Sequence, residues 1–326
     1  MKPLTFVEPA DLAGVIAELS SGNGTRLIAG GSDLLGELKE GSAAYSRLVS
    51  LAALDSLRRI ESTPGGLRIG ALVTISQLES ATELDGPYRI LAEAARGVAT
   101  PEIRHQGTVG GNLCQRPRCL HYRHALVSCL KKGGDGCPAA ETPYQNYLSV
   151  FGGAGCYAVS ASDLAPPLIA LGASVTIAGP SGSRDLPLTS FFTTPDVDPT
   201  RENVLKPGEV LTAVTLPPMP PGWRGAYSKS RERTAGDFPI VSLALGYELR
   251  DGRMTNARLV LGGVAPTPLR SLDAEAALES QPPDEAVASA AADAALTGAT
   301  PLSNNAFKLD LARALIARGV TRLAGT

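Results

Sequence analysis

Apolar and polar positions change period repeatedly along this chain. Over residues 10–20, ADLAGVIAELS, the positions Leu12, Val15, Ile16 and Leu19 recur at the spacing of one helix face. The stretch TRLIAGGSDLL then holds a short apolar run over residues 27–29, stopped by two glycines, which predicts a strand and a tight turn. RLVSLAAL and GLRIGALVTISQLES read as strands with a helix beginning near Thr74 or Ser76, and YRILAEAARGVA as a helix ending near Gly97. After a block rich in Gly, Pro and cations, CYAVSASDLAPPLIALGASVTIAG predicts a strand, a polar loop, a helix over residues 166–171 and a second strand closed by a turn. Residues 215–225, TLPPMPPGWRG, carry four prolines and two glycines, a composition expected between domains. Beyond them, IVSLALGYELRDGRMTNARLVLGGVA reads as an antiparallel hairpin turning at Asp251 and Gly252, and residues 273–295 and 305–318 as alanine-rich helices.

Length and charge narrow the picture. At 326 residues the chain exceeds the size at which one core stops growing, about 250–300 residues, so more than one domain is expected. The net charge of −2, with Lys and Arg scattered, gives no basic face, which argues against a nucleic-acid partner. Pro3, Glu8, Pro9 and Asp11 interrupt anything like a signal-peptide core, and no run approaches the ~20 apolar residues of a membrane span. The expectation is a soluble chain with no membrane span and no export address of its own.

Three features carry candidate chemistry. The glycine pairs in AGGSDLL and TVGGNL allow backbone N–H groups to approach a ligand, with Ser32, Thr108 and Asn112 adding side-chain donors, although paired glycines also simply make tight turns. Neither is a G-x-G-x-x-G fingerprint or a P-loop. In SASDLAPPL, Asp163 precedes a helix and reads most simply as its N-cap. The third feature is the cysteine usage: all five lie between residues 114 and 156, with two of the three histidines, His121 and His124. Four thiolates can complete a zinc site or hold a [4Fe–4S] cube. Structural zinc favours a close C-x₂₋₄-C pair, which is absent among Cys119, Cys129, Cys137 and Cys156, and an odd number of cysteines leaves one thiol outside any disulfide set. Arg116, Arg118, Arg123, Lys131 and Lys132 in the same block are unlike core packing and suit a cluster of net negative charge. Spacing alone leaves the metal open. Cys114, next to Leu113, reads as a small packed side chain, and His105 either lines a site beside the second glycine pair or is an ordinary hydrogen-bonded histidine.

The order of these pieces is the informative part. LIAGGSDLL, TVGGN some eighty residues later, SDLAPPLIALGA, and a lysine in YSKSRER after the proline-rich stretch resemble the FAD-binding medium subunit of the molybdenum hydroxylases, which include xanthine dehydrogenase, aldehyde oxidoreductase and carbon monoxide dehydrogenase. The resemblance covers nearly the whole chain. It implies an α+β fold: a two-part FAD-binding domain of the vanillyl-alcohol oxidase type over residues 1–222, then a small α+β C-terminal domain, an antiparallel sheet with helices, over residues 223–326. It implies that Leu27, Ile28, Ala29, Gly30, Gly31, Ser32, Asp33, Leu34, Thr108, Gly110, Gly111 and Asn112 hold the pyrophosphate and adenosine part of FAD, Asp163 the flavin nucleotide, and that Leu211 and Lys229 lie near the isoalloxazine.

This chain departs from the basic family pattern by an insertion of roughly thirty residues after GGN. GGNLCQRPRCLHYR resembles the subgroup with an extra [4Fe–4S] cluster, as in periplasmic-type aldehyde oxidoreductase, which implies Cys119, Cys129, Cys137 and Cys156 as ligands and leaves Cys114 aside. The implied function is electron transfer, since no hydrolytic triad or paired-carboxylate site is evident and the family's substrate chemistry occurs at molybdenum in another subunit. The implied partners are a molybdopterin-binding large subunit, a [2Fe–2S] small subunit and an external electron acceptor. The alternatives are a stand-alone FAD-dependent oxidase and a zinc-stabilised binding module. Location stays open between the cytoplasm and a periplasm reached by export with a signal-bearing partner.

Overall fold

The computed structural model describes residues 3–22 and 24–325. The first unit runs β1 (Thr5–Val7), α1 (Leu12–Ser20), β2 (Thr25–Ile28), α2 (Leu34–Glu40) and β3 (Arg47–Ser50). Its strands are parallel in the order β1-β3-β2, with Arg47 opposite both Thr5 and Thr25. Helices make the crossovers because parallel neighbours cannot be joined by a hairpin. The chain enters α1 at Asp11, whose carboxylate accepts the Gly14 N–H at 2.8 Å. Val15 then packs with Val49, Leu51 and Leu54 in a small core beneath the sheet.

The second unit comprises β4 (Ile60–Thr63), β5 (Gly66–Gly70), α3 (Ile75–Ser80), α4 (Arg89–Gly97), α5 (Pro101–Gln106), α6 (Val109–Leu113), α7 (Leu120–Arg123), α8 (Ala165–Ala170), β6 (Ser174–Gly179), β7 (Gly182–Pro187) and β8 (Val210–Leu216). Its sheet is antiparallel in the order β4-β5-β8-β6-β7. Thr74 closes a reciprocal capping box with Gln77, which fixes the start of α3 where the sequence places it. Between α7 and α8 the described residues form single 3₁₀ turns at Leu130–Lys132 and Pro138–Glu141 and one isolated bridge, Leu148 to Ala158.

The last unit is β9 (Trp223–Ser230), β10 (Val241–Arg250), β11 (Arg253–Gly262), β12 (Leu269–Arg270), α9 (Leu272–Leu278), α10 (Glu285–Leu296) and α11 (Phe307–Ala324). Its sheet is antiparallel in the order β12-β11-β10-β9. The β10–β11 turn falls at Asp251 and Gly252, both with positive φ, as a two-residue hairpin loop requires. The architecture is therefore α+β. Among the described residues no helix is long and apolar enough to cross a membrane.

Three expectations about elements need correction. The run 273–295 is two helices, α9 and α10, because Pro282 and Pro283 cannot continue the hydrogen-bond ladder. The last helix extends past residue 318 to Ala324: Gly319 does not stop it, and its missing side chain admits Leu245, whose Cδ2 lies 3.0 Å from where a Cβ would stand. The strand read in CYAVS is a single bridge between Leu148 and Ala158. Its backbone donors go to loops, Ser160 N–H for example to the Ala265 carbonyl at 3.1 Å.

Candidate flavin cleft and cysteine segment

The end of β2, the opening of α6 and the start of β8 converge on a cleft of about 720 Å³, a volume suited to a cofactor. The sequence-singled residues Leu27, Ile28, Ala29, Gly30, Gly31, Ser32, Asp33, Leu34, Thr108, Gly110, Gly111, Asn112, Asp163 and Leu211 all line it. Lys229 stands one hydrogen bond behind, its Nζ donating to Asp163 Oδ2 at 2.8 Å. His105, exposed on the last turn of α5, is not part of the lining.

The four glycines have different jobs. A Cβ on Gly30 would stand 1.8 Å from the Gln106 carbonyl oxygen, so this glycine lets the first turn press against the backbone leading into the second. Gly31 has φ +73°, and a Cβ on Gly110 would meet that of Ala71 at 2.9 Å. These three are required by the fold itself. At Gly111 a Cβ would meet only Thr108 Oγ1, at 3.0 Å, so its bareness serves the cleft rather than the packing. TVGGN is the first turn of α6 rather than a free loop: Thr108 Oγ1 accepts the Gly111 N–H at 3.1 Å as N-cap.

Asn112 and Asp163 are set by a buried network. Ser162 Oγ donates to Asn112 Oδ1 at 2.6 Å and accepts the Ala165 N–H at 3.0 Å. Ser162 therefore ties down the N–H of the first residue of α8, whose N-cap is Leu164, and the N-cap expected of Asp163 is corrected. Asp163, 2% exposed, accepts the Tyr227 hydroxyl at 2.5 Å and Lys229 Nζ at 2.8 Å. Lys229 also donates to the Gly97 carbonyl at 3.0 Å, so the pair joins β9, the end of α4 and the cleft wall. Burial pushes the Asp163 carboxyl up, opposed by the Lys229 charge. Tyr227 is raised well above the usual tyrosine value by burial and then by Asp163.

The cysteine segment lies against the first unit. The cations expected to balance a cluster are instead paired with acids: Arg118 and Arg123 with Asp33 at 3.0 and 2.5 Å, Arg116 with Glu202 at 2.7 Å, and Lys131 with Glu202 at 2.8 Å. Lys132 donates to the His121 and His124 carbonyls. Local spacing could not reveal these pairs, because the acids come from α2 and from the loop before β8.

All five cysteines are free thiols. Cys114 closes the end of α6 and packs against the main core, where burial pushes its thiol up to about 12. Burial raises the Cys119 thiol, Cys137 and Cys129 adding to the effect, while the N–H groups of Tyr122 and His121 oppose it. Burial likewise raises Cys156, with the Ala158 N–H and Lys131 opposing and Cys137 and Cys119 adding. Among the described residues, no group of three or more His, Cys, Asp or Glu side chains is arranged to hold a metal ion.

The wall made by residues 201–203 and 205–210 and by Gly236, Asp237 and Phe238 escapes the sequence reading. The available signal was LKPGEVL, where Gly208 at φ +81° and the Lys206 N–H bound to Glu209 at 2.8 Å form a tight turn into β8.

Comparison with known proteins gives this geometry its family. The family model described as the FAD binding domain in molybdopterin dehydrogenase matches residues 2–219, and that described as the CO dehydrogenase flavoprotein C-terminal domain matches residues 225–323. The chain belongs to the FAD-binding subunits of the molybdenum hydroxylase family. Within that class it is an oxidoreductase subunit whose FAD-binding domain contains the cleft just described. It is 36% identical over 297 residues to the aldehyde oxidoreductase FAD-binding subunit PaoB of Escherichia coli K12, with 90% of each chain covered. To the carbon monoxide dehydrogenase medium chain of Hydrogenophaga pseudoflava it is 26% identical over 301 residues, covering 92% of this chain and 88% of that one. The solved carbon monoxide dehydrogenase from Hydrogenophaga pseudoflava superimposes with a TM-score of 0.78 at 26% identity, over 98% and 96% of the two chains. Quinoline 2-oxidoreductase from Pseudomonas putida 86 does so with a TM-score of 0.79 at 26% identity, over 100% and 99%.

Proposed function

We propose that this chain is the FAD- and [4Fe–4S]-containing electron-transfer subunit of a molybdenum-dependent aldehyde oxidoreductase or xanthine dehydrogenase-like complex. In such a complex it passes electrons from the [2Fe–2S] clusters of a small subunit to an external acceptor, while a molybdopterin-binding large subunit oxidises the substrate. The observation that carries this reading is the cleft itself: two glycine turns about eighty residues apart in sequence meet across one cavity, with Asp163 and Leu211 on its wall. When bound, FAD supplies a redox centre that exchanges electrons singly or in pairs.

The chain's own residues supply binding and polarity. Gly111 gives backbone access, and with Asn112 Oδ1 occupied by Ser162, the Asn112 amide N–H groups are the part offered to a ligand. The Asp163–Lys229 pair supplies fixed charges beside the cleft, with Lys229 held by Asp163 and the Gly97 carbonyl. Cys119, Cys129, Cys137 and Cys156 would hold the [4Fe–4S] cluster. Their mutual electrostatic influence and the N–H groups directed at Cys119 and Cys156 support that set, and the core position of Cys114 supports its exclusion. The 36% identity to an aldehyde oxidoreductase subunit favours an aldehyde as the substrate of the complex.

The test is purification with and without the neighbouring gene products. The chain is expected to co-purify with a molybdopterin subunit and an iron–sulfur subunit, and alone to hold FAD yet oxidise no aldehyde. Substantial aldehyde oxidation by the lone, molybdenum-free chain would favour a stand-alone oxidase instead.

A further inference from the structure

The segment that carries the cysteines also forms part of the cleft wall, where Arg116 and Arg118 line the cavity together with the glycine turns. It is fastened to one face of α2. Asp33 Oδ2 accepts the Arg116 backbone N–H at 2.7 Å, its Oδ1 takes Arg123 and Arg118, and four residues on, the buried Glu37 accepts the Tyr122 hydroxyl.

The three arginines are not equivalent. Arg116 is satisfied by the Tyr122 hydroxyl, the Thr200 carbonyl and Glu202. Burial lowers its pKa, yet Glu202, Tyr122 and Glu37 outweigh burial and leave it raised. Arg123 is raised in the same way by Asp33 against burial; its unpaired Nη1 faces Glu40 at 3.6 Å, and it does not line the cleft. Arg118 differs. Its guanidinium lies 4.8 Å over the Phe238 ring, it shares Asp33 Oδ1 with Arg123, and its Nε is buried with no hydrogen-bond partner. An unpaired buried donor on a cation that shares its one carboxylate oxygen with a second arginine calls for an acceptor of negative charge.

We propose that Arg118 binds the diphosphate of the flavin nucleotide, positioned by Asp33 and Phe238, and that this joint couples FAD occupancy to order in the cysteine segment. The proposal rests on the flavin reading of the cleft and is independent of which metal the cysteines hold. A guanidinium presents its donors as a fork that matches phosphate oxygens. Asp33, itself an anion, acts as the positioning residue that holds the fork. Because the segment supplies a ligand group, whatever FAD gains from an ordered segment the segment gains from FAD.

The experiment titrates FAD and ADP, which shares the diphosphate but lacks the flavin ring, into the full chain stripped of flavin. Arg118→Met is expected to weaken both ligands about ten- to a hundredfold. Arg118→Lys should recover only part of that loss. Asp33→Asn should weaken both severalfold, on the order of one hydrogen bond. Trypsin cleavage at Lys131 and Lys132 should slow when FAD is added to the wild type, and respond less in Arg118→Met. Unchanged FAD and ADP affinity in Arg118→Met would overturn the ligand role. Tighter FAD binding by Asp33→Asn would show that Asp33 merely repels the nucleotide, and cleavage indifferent to FAD in the wild type would overturn the coupling. A wild-type chain that binds no FAD would instead overturn the flavin reading, and this inference with it.

Discussion

The glycine turns and the cysteine segment form neighbouring walls of one cleft, yet they are built on opposite principles. The turns are held by backbone: β2 delivers Gly30 against the Gln106 carbonyl, Thr108 caps α6, and side chains do little. The cysteine segment has one four-residue helix and two 3₁₀ turns, and is fixed by long-range side-chain pairs to Asp33, Glu37 and Glu202. Close backbone approach fails abruptly when a single atom is added, whereas a network of ion pairs loosens by degrees. The cleft should therefore break at a few positions and the segment should soften at many.

The largest effect is expected where a charge is buried beside the cleft. Asp163→Ala would strand Lys229, whose side chain is 5% exposed, and removing one partner of a buried pair costs about 3–5 kcal/mol. Denaturant melts should show that loss, and the double change with Lys229→Met should recover part of it. Full stability in Asp163→Ala would mean the pair does not hold the wall.

Next come the glycines, which separate packing from binding. Gly30→Ala places a Cβ on the Gln106 carbonyl and should destabilise the fold by at least about 1–3 kcal/mol. Gly111→Ala should keep native stability while weakening FAD. Equal melting of the two variants would contradict the division of roles drawn here.

A gradual, pH-dependent effect comes from the C-terminal unit, which grips the chain at Leu148. Lys308 is fully buried and donates to the Leu148 and Gly263 carbonyls at 2.7 and 2.6 Å. Burial lowers its pKa from 10.5 to about 7. Between these values the unfolded chain binds the proton and the folded chain does not, so this group's contribution to stability falls as pH drops from about 10.5 to about 7 and is level below. The slope is at most about 1.4 kcal/mol per pH unit. Chemical denaturation from pH 7 to 10 should show that rise, and Lys308→Met should flatten it. The smallest effect is expected of Thr108→Ala, which removes a cap and one donor worth about 0.5–1.5 kcal/mol, and should weaken FAD binding without abolishing it.

These differences also explain what the sequence disclosed. The glycine turns were legible because a strand, two glycines and a capping Thr are neighbours in the chain. That Asp163 does not cap α8 was not, because its carboxylate is taken by Tyr227 and Lys229, more than sixty residues away. The helix read over residues 305–318 runs on because Gly319 packs against Leu245 of β10. The cations among the cysteines looked like counter-charges for sulfur, and their acids lie on α2 and in the loop before β8.

In the proposed reading, one cleft holds FAD and Cys119, Cys129, Cys137 and Cys156 beside it hold an iron–sulfur cube. Iron per flavin, measured with the low-temperature EPR signal of the reduced protein across the five single Cys→Ser variants, tests it most directly. The account predicts four irons per FAD in the wild type, retention of both cofactors in Cys114→Ser, and loss of iron with partial retention of flavin in Cys119→Ser, Cys129→Ser, Cys137→Ser and Cys156→Ser. Iron lost in Cys114→Ser but kept in Cys119→Ser, or a wild type that holds zinc and no iron, would contradict it.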